Sequence, residues 1–349
     1  MTRYAHRHTG RAAWRITAAL GAVSALALAG CSSDGGGSAT GGDGKIAVVI
    51  KGLDNPFFQT MKQGVDAGAK DGDVSATVQA AQSISDTTGQ ADKLTTLANQ
   101  DYSCFVVNPI SGTNLVQGVA RIAAKGKTIV NIDSPIDADA AKQADAKIAT
   151  YIGTDNTAAG ELAGKEMVKQ LPSGGSVFAI GGTSGDVTSG ARISGFTKGI
   201  AGSSVTLRQT VAANWERQTA LTAATTIMQN NTQVAGFFVA NDDMALGVAR
   251  AVANLNRTGK VKIISVDGIK DALSAVKAGQ LTAVVAQYPY VIGQMGIEAC
   301  RAAQAGKDLP AKVDAPVELV TQATAGQALA KTPQPFGTYD DPFTKLLSK

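Results

Sequence analysis

Gly236-Phe237-Phe238-Val239-Ala240-Asn241-Asp242-Asp243-Met244-Ala245-Leu246-Gly247 decides how the rest of the chain is read. A short apolar run stops at a polar residue, and an alanine-rich helical stretch follows. A run this short and unbroken suits a strand buried on both faces, as in a parallel sheet covered by helices. The unit recurs: Ile46–Ile50, Cys104–Val107, Thr128–Ile132, Val177–Ile180, Val261–Val266 and Thr282–Ala286 are further apolar runs, rich in Val and Ile, with longer helical stretches after them. Repeated βα units predict a doubly wound α/β fold. There are too many for one compact sheet, so the expectation is two parallel-sheet lobes, for which 349 residues suffice. No heptads, solenoid repeats or second long hydrophobic span interrupt the pattern.

The first thirty residues stand apart. Arg3, Arg7, Arg11 and Arg15 form a basic start with no acidic residue, and Ile16 to Ala29 is an apolar run too short to span a bilayer comfortably. The run ends in Leu28-Ala29-Gly30-Cys31. Small residues before a cysteine at that place resemble a lipoprotein signal, residues 1–30, which implies that Cys31 is diacylated and anchors the mature chain to the membrane. Residues 31–44, rich in Ser, Gly and Asp, read as a flexible tether. The net charge of +4 belongs to the signal: four of the 32 Lys and Arg precede Cys31 and none of the 28 Asp and Glu, so 28 of each remain. A mature chain of zero formal charge gives no argument for nucleic acid. Both histidines, His6 and His8, also lie in the signal. Without them no Ser-His-Asp triad, Cys-His pair or histidine-ligated metal site is available. Neither a metal nor a cofactor is expected. Beyond the lipid site, Cys104 and Cys300 are either two buried thiols or one disulfide, and a spacing of 196 residues leaves both open.

In open α/β sheets, ligands bind beyond the carboxyl ends of the strands. Lys51, Asp133, Asn241, Asp267 and Gln287 sit at or just after the ends of five apolar runs. Asn and Asp in such places also cap helices, and Asn55 (before Pro56) and Asn241 are both suited to that. As a set, however, the five predict one shared polar site. Asp accepts hydrogen bonds, Lys and Arg donate, and Asn and Gln do both, a mixture that matches the hydroxyls of a sugar. Sugars also have apolar C–H faces that lie on aromatic rings. Aromatic residues make up only 5% of the chain, yet Phe57 and Phe58 follow Asn55-Pro56, and Trp215 is the one tryptophan after Trp14. Adjacent helical positions face apart, so at least one of the two phenylalanines is expected in the core.

From Lys45 to Gln322 the chain resembles the ribose- and allose-binding proteins of the periplasmic binding protein type I family. Seven segments carry the likeness, in the family's order: Lys51-Gly-Leu-Asp-Asn-Pro-Phe-Phe58, Asn131-Ile-Asp133, Gly190-Ala-Arg192-Ile-Ser-Gly-Phe196, Asn214-Trp215-Glu-Arg217, Ala240 to Gly247, Val266-Asp267-Gly268 and Ala286-Gln287. The resemblance implies an N-terminal lobe of residues 45–150 with 288–318, a C-terminal lobe of 151–287 with 319–330, and a tail of 331–349. Hinge crossings are implied near 150–155, 285–289 and 317–322. Asn55, Phe57, Phe58 and Asp133 would bind from the first lobe; Arg192, Trp215, Asn241 and Asp267 from the second; Gln287 would sit near the hinge. Lys51 and Trp215 look more like the allose-binding branch. After Asp133 these relatives carry a large polar or charged side chain, whereas here Ser134 stands, which leaves room for a larger ligand or removes one contact. The implied function is a monomeric solute-binding lipoprotein that delivers a monosaccharide or polyol to an ABC transporter permease.

Three rivals are weighed against this. A sugar-responsive repressor would need a basic helix-turn-helix where the signal and tether stand. A sugar enzyme would need acid–base chemistry from a pair such as Asp133 and Asp267, with no further partner apparent. A sensor presenting its ligand to a chemoreceptor or kinase is compatible with the same fold.

Overall fold

The computed structural model describes residues 44–348. Residues 1–43, with Cys31, the proposed signal and nearly all of the tether, lie outside the described residues. The chain alternates strand and helix through β1 (Ile46–Ile50), α1 (Pro56–Asp71), β2 (Ala76–Ala80), α2 (Thr87–Ala98), β3 (Cys104–Val107), α3 (Val116–Ala124), β4 (Thr128–Ile132), α4 (Ala138–Gln143) and β5 (Thr150–Gly153). It continues through α5 (Asn156–Gln170), β6 (Gly175–Gly181), α6 (Val187–Ile200), β7 (Val205–Ala212), α7 (Arg217–Asn230), β8 (Val234–Val239), α8 (Asp242–Asn254), β9 (Lys262–Asp267), α9 (Lys270–Lys277) and β10 (Ala283–Gln287). Then come α10 (Pro289–Gln304), β11 (Lys312–Asp314), β12 (Val317–Thr321), α11 (Ala325–Lys331) and α12 (Pro342–Leu347).

Two six-stranded sheets form, in the orders β11-β5-β4-β3-β1-β2 and β12-β10-β9-β8-β6-β7. Neighbouring strands are parallel except for β12, which runs antiparallel to β10. Both faces of each sheet are covered, because successive strand residues point to opposite sides. Ala47 and Val49 of β1 join Leu94, Phe105 and Ile122 in one core, while Ile46, Val48 and Ile50 join Met61, Met295 and Ile297 in another. The seven apolar runs are β1, β3, β4, β6, β8, β9 and β10, to within two residues at each end.

Sheet membership moves two of the implied boundaries. β5 belongs to the first sheet, so the lobe boundary set at residue 150 moves to Gly153, with the first crossing inside 150–155. β12 belongs to the second sheet from Val317, so the last crossing is Ala315–Pro316, ahead of 317–322. The middle crossing is Tyr288, whose hydroxyl donates to Glu318 Oε2. Glu318 also accepts the backbone N–H groups of Phe336 at 3.2 Å and Gly337 at 2.6 Å. The tail is ordered by these bonds: after α11 packs on α9, it returns to the first lobe, where α12 packs on α10 and buries Phe343 completely. Cys104 of β3 and Cys300 of α10 are joined as a disulfide.

One close helix pairing bears on the site. A Cβ on Gly160 of α5 would stand 2.0 Å from the carbonyl oxygen of Arg192, and one on Gly195 of α6 would stand 2.0 Å from that of Thr157. Both are far below any real contact distance, so glycine is required at each. The backbones of α5 and α6 therefore touch directly, and this sets the height from which Arg192 reaches inward.

Candidate functional site

The carboxyl ends of the strands in the two sheets face one cleft of about 340 Å³. Lys51, Asn55, Phe57, Phe58, Asp133, Ser134, Arg192, Trp215, Asn241 and Asp267 all line it. Gln287 does not: it is buried behind the wall and donates to Asp267 Oδ1 at 2.7 Å.

The local geometry follows from a few sequence features. Asn55 precedes Pro56 and caps α1, its Oδ1 accepting from Phe57 N at 2.9 Å. Asn241 caps α8 in the same way, accepting from Met244 N at 3.0 Å. Capping and site-lining are thus the same placement, since the cap uses the amide oxygen and leaves the NH₂ to donate. Both phenylalanines line the cleft and both are buried, their rings edge-to-face at 5.2 Å between centroids. Trp215 lies across Gly182, where a Cβ would come within 2.1 Å of the indole, so only glycine admits that ring position.

Four lining residues other than glycine have positive φ: Asp133 (60°), Asn214 (54°), Trp215 (64°) and Asp267 (145°). Such backbone is costly and persists only where its surroundings hold it. Asp133 is held by its N–H to the Ile152 carbonyl at 2.8 Å and by the Tyr151 hydroxyl, which donates to its carbonyl at 2.7 Å.

The charged groups are paired within the site. Arg192 donates through Nη1 to Asp267 Oδ1 at 3.1 Å and to the Ala240 carbonyl at 2.6 Å, and through Nε to Asn156 Oδ1 at 2.8 Å. Among the described residues, its Nη2 and the Asp267 Oδ2 have no such partner. Across the cleft, Lys51 Nζ donates to Ser134 Oγ at 2.7 Å, and Ser134 donates to Asp133 Oδ2 at 3.3 Å. Lys51 also stands 5.4 Å from the Phe58 ring centre, and the Arg192 guanidinium 6.0 Å from the Trp215 ring, both within cation–π range. Burial raises both carboxyls above the ordinary range. Asp133 is raised against the opposing pull of Lys51 and Arg192. Asp267 is pushed up to about 6, with Arg192 opposing and Asp133 adding to the rise. Three carboxyl groups (Asp133, Asp186 and Asp267) and two cations (Lys51 and Arg192) line the cleft. Asp186 caps α6, its Oδ1 accepting from Ser189 N at 2.8 Å, and the other four are matched one cation to one carboxyl. The cleft therefore suits an uncharged ligand with many hydroxyls and a flat apolar face. Among the described residues no three His, Cys, Asp or Glu side chains are placed to hold a metal ion.

Reading only five strand exits left part of the wall unread. Ser111 follows β3, and Thr183 to Asp186 follow β6; Ile84 and Ser85 come from the loop after β2. The runs Cys104–Val107 and Val177–Ile180 were visible, and the same strand-exit rule extended to them points at the first two loops.

Residues 46–308 match the model of the periplasmic binding protein domain. The D-allose-binding periplasmic protein of Escherichia coli is 39% identical over 269 residues, covering 76% of this chain and 86% of that protein. The ribose import binding protein of Bacillus subtilis is 31% identical over 278 residues, covering 79% and 87%. A periplasmic solute-binding protein of an ABC transporter from Actinobacillus succinogenes, solved with bound D-allose, superposes with a TM-score of 0.78 at 28% identity, covering 81% of this chain and 99% of that one. With two doubly wound lobes, a polar cleft at their strand ends and a family match over most of its length, the chain belongs to the periplasmic binding protein family.

Proposed function

We propose that this chain is the extracytoplasmic solute-binding component of a sugar ABC importer and takes a neutral monosaccharide or polyol into its cleft. The observation that carries the reading is the ring of paired donors and acceptors, drawn from both lobes and flanked by Phe58 and Trp215. The ligand is of the allose, ribose or related pentose and hexose type. The similarity to D-allose- and ribose-binding relatives supports this class, and Lys51 with Trp215 favours the allose branch.

Asn55, Phe58 and Asp133 approach the sugar from one lobe, and Arg192, Trp215, Asn241 and Asp267 from the other. A ligand reaches both sets fully only when the lobes close, so it binds the closed form better and shifts the population toward it. Lys51 through Ser134 fills the place where a longer side chain follows Asp133 in the family, so this corner is built by a two-residue relay. The closed form is what a membrane permease distinguishes from the open one. Diacylated Cys31 and the tether of residues 31–44 keep a monomeric binding unit near that permease.

Trp215 is the one tryptophan after Trp14, so its fluorescence reports occupancy of the cleft in a protein beginning at residue 32. Titration with D-allose, D-ribose, D-xylose, D-galactose, D-glucose and inositol is expected to give a saturable change for at least one. Micromolar affinity, about −8 kcal/mol, is within reach of a few charge-assisted bonds and two stacked rings. Asp267→Ala is expected to abolish that response. A wild-type protein silent to all six, or an Asp267→Ala protein binding as tightly as wild type, would defeat the reading.

A further inference from the structure

Asp242 follows the cleft-lining Asn241 and is fully buried, with no exposure to the cleft. Its carboxylate accepts three hydrogen bonds, all from β9 and the turn after it. Ser265 Oγ donates to Oδ1 at 2.5 Å, and the backbone N–H groups of Gly268 and Ile269 donate to Oδ2 at 2.7 and 2.9 Å. Between those donors stands Asp267, with φ of 145°, followed by Gly268 with φ of 87°. Arg192 and Gln287 hold the Asp267 side chain, but neither restrains the turn's backbone. We infer that Asp242 is a positioning residue for sugar recognition: it clamps the β9–α9 turn so that Asp267 keeps one carboxylate oxygen aimed into the cleft.

The inference rests on the sugar-binding reading and goes a step further inward. The two neighbours divide the work: Asn241 faces the ligand and Asp242 faces the turn that carries the other ligand group. Two backbone N–H groups on one oxygen form a small clamp that only an acceptor at that position completes. An asparagine completes it too, its oxygen accepting both N–H groups while its NH₂ donates to Ser265 Oγ.

The test measures sugar affinity by Trp215 fluorescence, using whichever of D-allose and D-ribose binds the wild type more tightly, together with amide exchange at Gly268 and Ile269. Asp242→Ala is expected to weaken binding about tenfold or more and to speed exchange at both amides, while leaving the circular dichroism of the fold unchanged. Asp242→Asn is expected to stay within about threefold of wild type and to keep both amides protected. That rescue is what a residue needed only for general stability or for its charge would not show. Ser265→Ala, which removes one bond of three, covers the case in which Asp242→Ala fails to fold, and is expected to weaken binding about threefold. Wild-type affinity in Asp242→Ala, loss in Asp242→Asn equal to that in Asp242→Ala, or unaltered binding and exchange in Ser265→Ala would each overturn the inference. A wild-type protein that binds neither sugar would defeat the functional reading instead, and amide exchange in the unliganded protein would still decide the clamp.

Discussion

The two lobes contribute similar chemistry to the cleft but hold it in different ways. In the C-terminal lobe, Arg192, Asp267 and Gln287 form a buried web, and Asp242 accepts three bonds from β9 and the turn after it, so that each charge has several partners. In the N-terminal lobe, the corresponding charges meet through a single hydroxyl, Lys51 to Ser134 to Asp133, partly open to the cleft. A charge held by several bonds in a buried setting is already in its binding geometry and pays little to be ordered. A charge held by one exposed-side bond is easier to redirect. The contrast suits a protein in which one lobe presents a fixed frame and the other adapts its side chains to the sugar.

The largest expected effect comes from breaking the buried web. Arg192→Ala leaves Asp267 buried with only Gln287 to face it, and removing one partner of such a pair costs about 3–5 kcal/mol. Calorimetric titration is expected to show loss of sugar binding, and urea denaturation a lower midpoint. An unchanged midpoint would mean that water already reaches Asp267. The second effect concerns the other lobe, which has the covalent tie. Removing the Cys104–Cys300 bond with Cys104→Ala and Cys300→Ala is expected to cost about 2–5 kcal/mol of stability, because the bond closes a loop of 196 residues. Sugar affinity at low temperature should be unaffected, since the bond lies in the core between β3 and α10, away from the cleft.

The third effect is that of pH. On the proposed reading the ionised form of Asp267 accepts a sugar hydroxyl, and its carboxyl is pushed up to about 6 by burial. Affinity is therefore expected to be flat above neutrality and to fall by up to about tenfold per unit below pH 6. Stability should move the other way. A carboxyl raised in the folded state favours folding at low pH, and this contribution is lost as pH rises through about 6. Parallel titrations of sugar affinity and urea midpoint between pH 7 and 5 separate the two; a joint decline would point to general acid unfolding. The smallest effect is expected at the adaptable corner. Ser134→Ala breaks two partly buried bonds, from Lys51 and to Asp133, and should change affinity by about 1 kcal/mol. It should also alter the ranking of sugars in the fluorescence panel. A loss as large as that of Arg192→Ala would erase the distinction between the lobes.

What was readable in the sequence tracks unbroken apolar runs; β5, though inside the first sheet and largely buried, is only Thr-Tyr-Ile-Gly and was not among them. The seven recognised runs are strands inside the sheets, where both faces are covered and nearly every residue is apolar. β2 and β7 stand at the sheet edges with partly exposed, mixed sequences such as Ala-Thr-Val-Gln-Ala and Val-Thr-Leu-Arg-Gln-Thr-Val-Ala, so no unbroken run announced them. The short strands β11 and β12 were missed for the same reason, and the last crossing was misplaced with them. In the site, polar residues at strand exits were found because an abrupt end to an apolar run is a local signal. Gln287 gave the same signal, yet it faces Asp267 instead of the cleft. Asp242 gave none, since its role depends on a turn that returns 25 residues later.

The amino-acid order alone determined the alternating βα pattern, the absence of histidine after the signal-like segment, and the polar residues set at strand ends beside scarce aromatics. These are local properties, written in runs of a few residues. The pairing of Cys104 with Cys300, the flat seat of Trp215 on Gly182, the Lys51–Ser134 relay and the grip of Asp242 on the β9–α9 turn were decided only by the tertiary structure. Each joins residues far apart in the chain, and whether two such groups meet depends on how the helices and sheets between them pack.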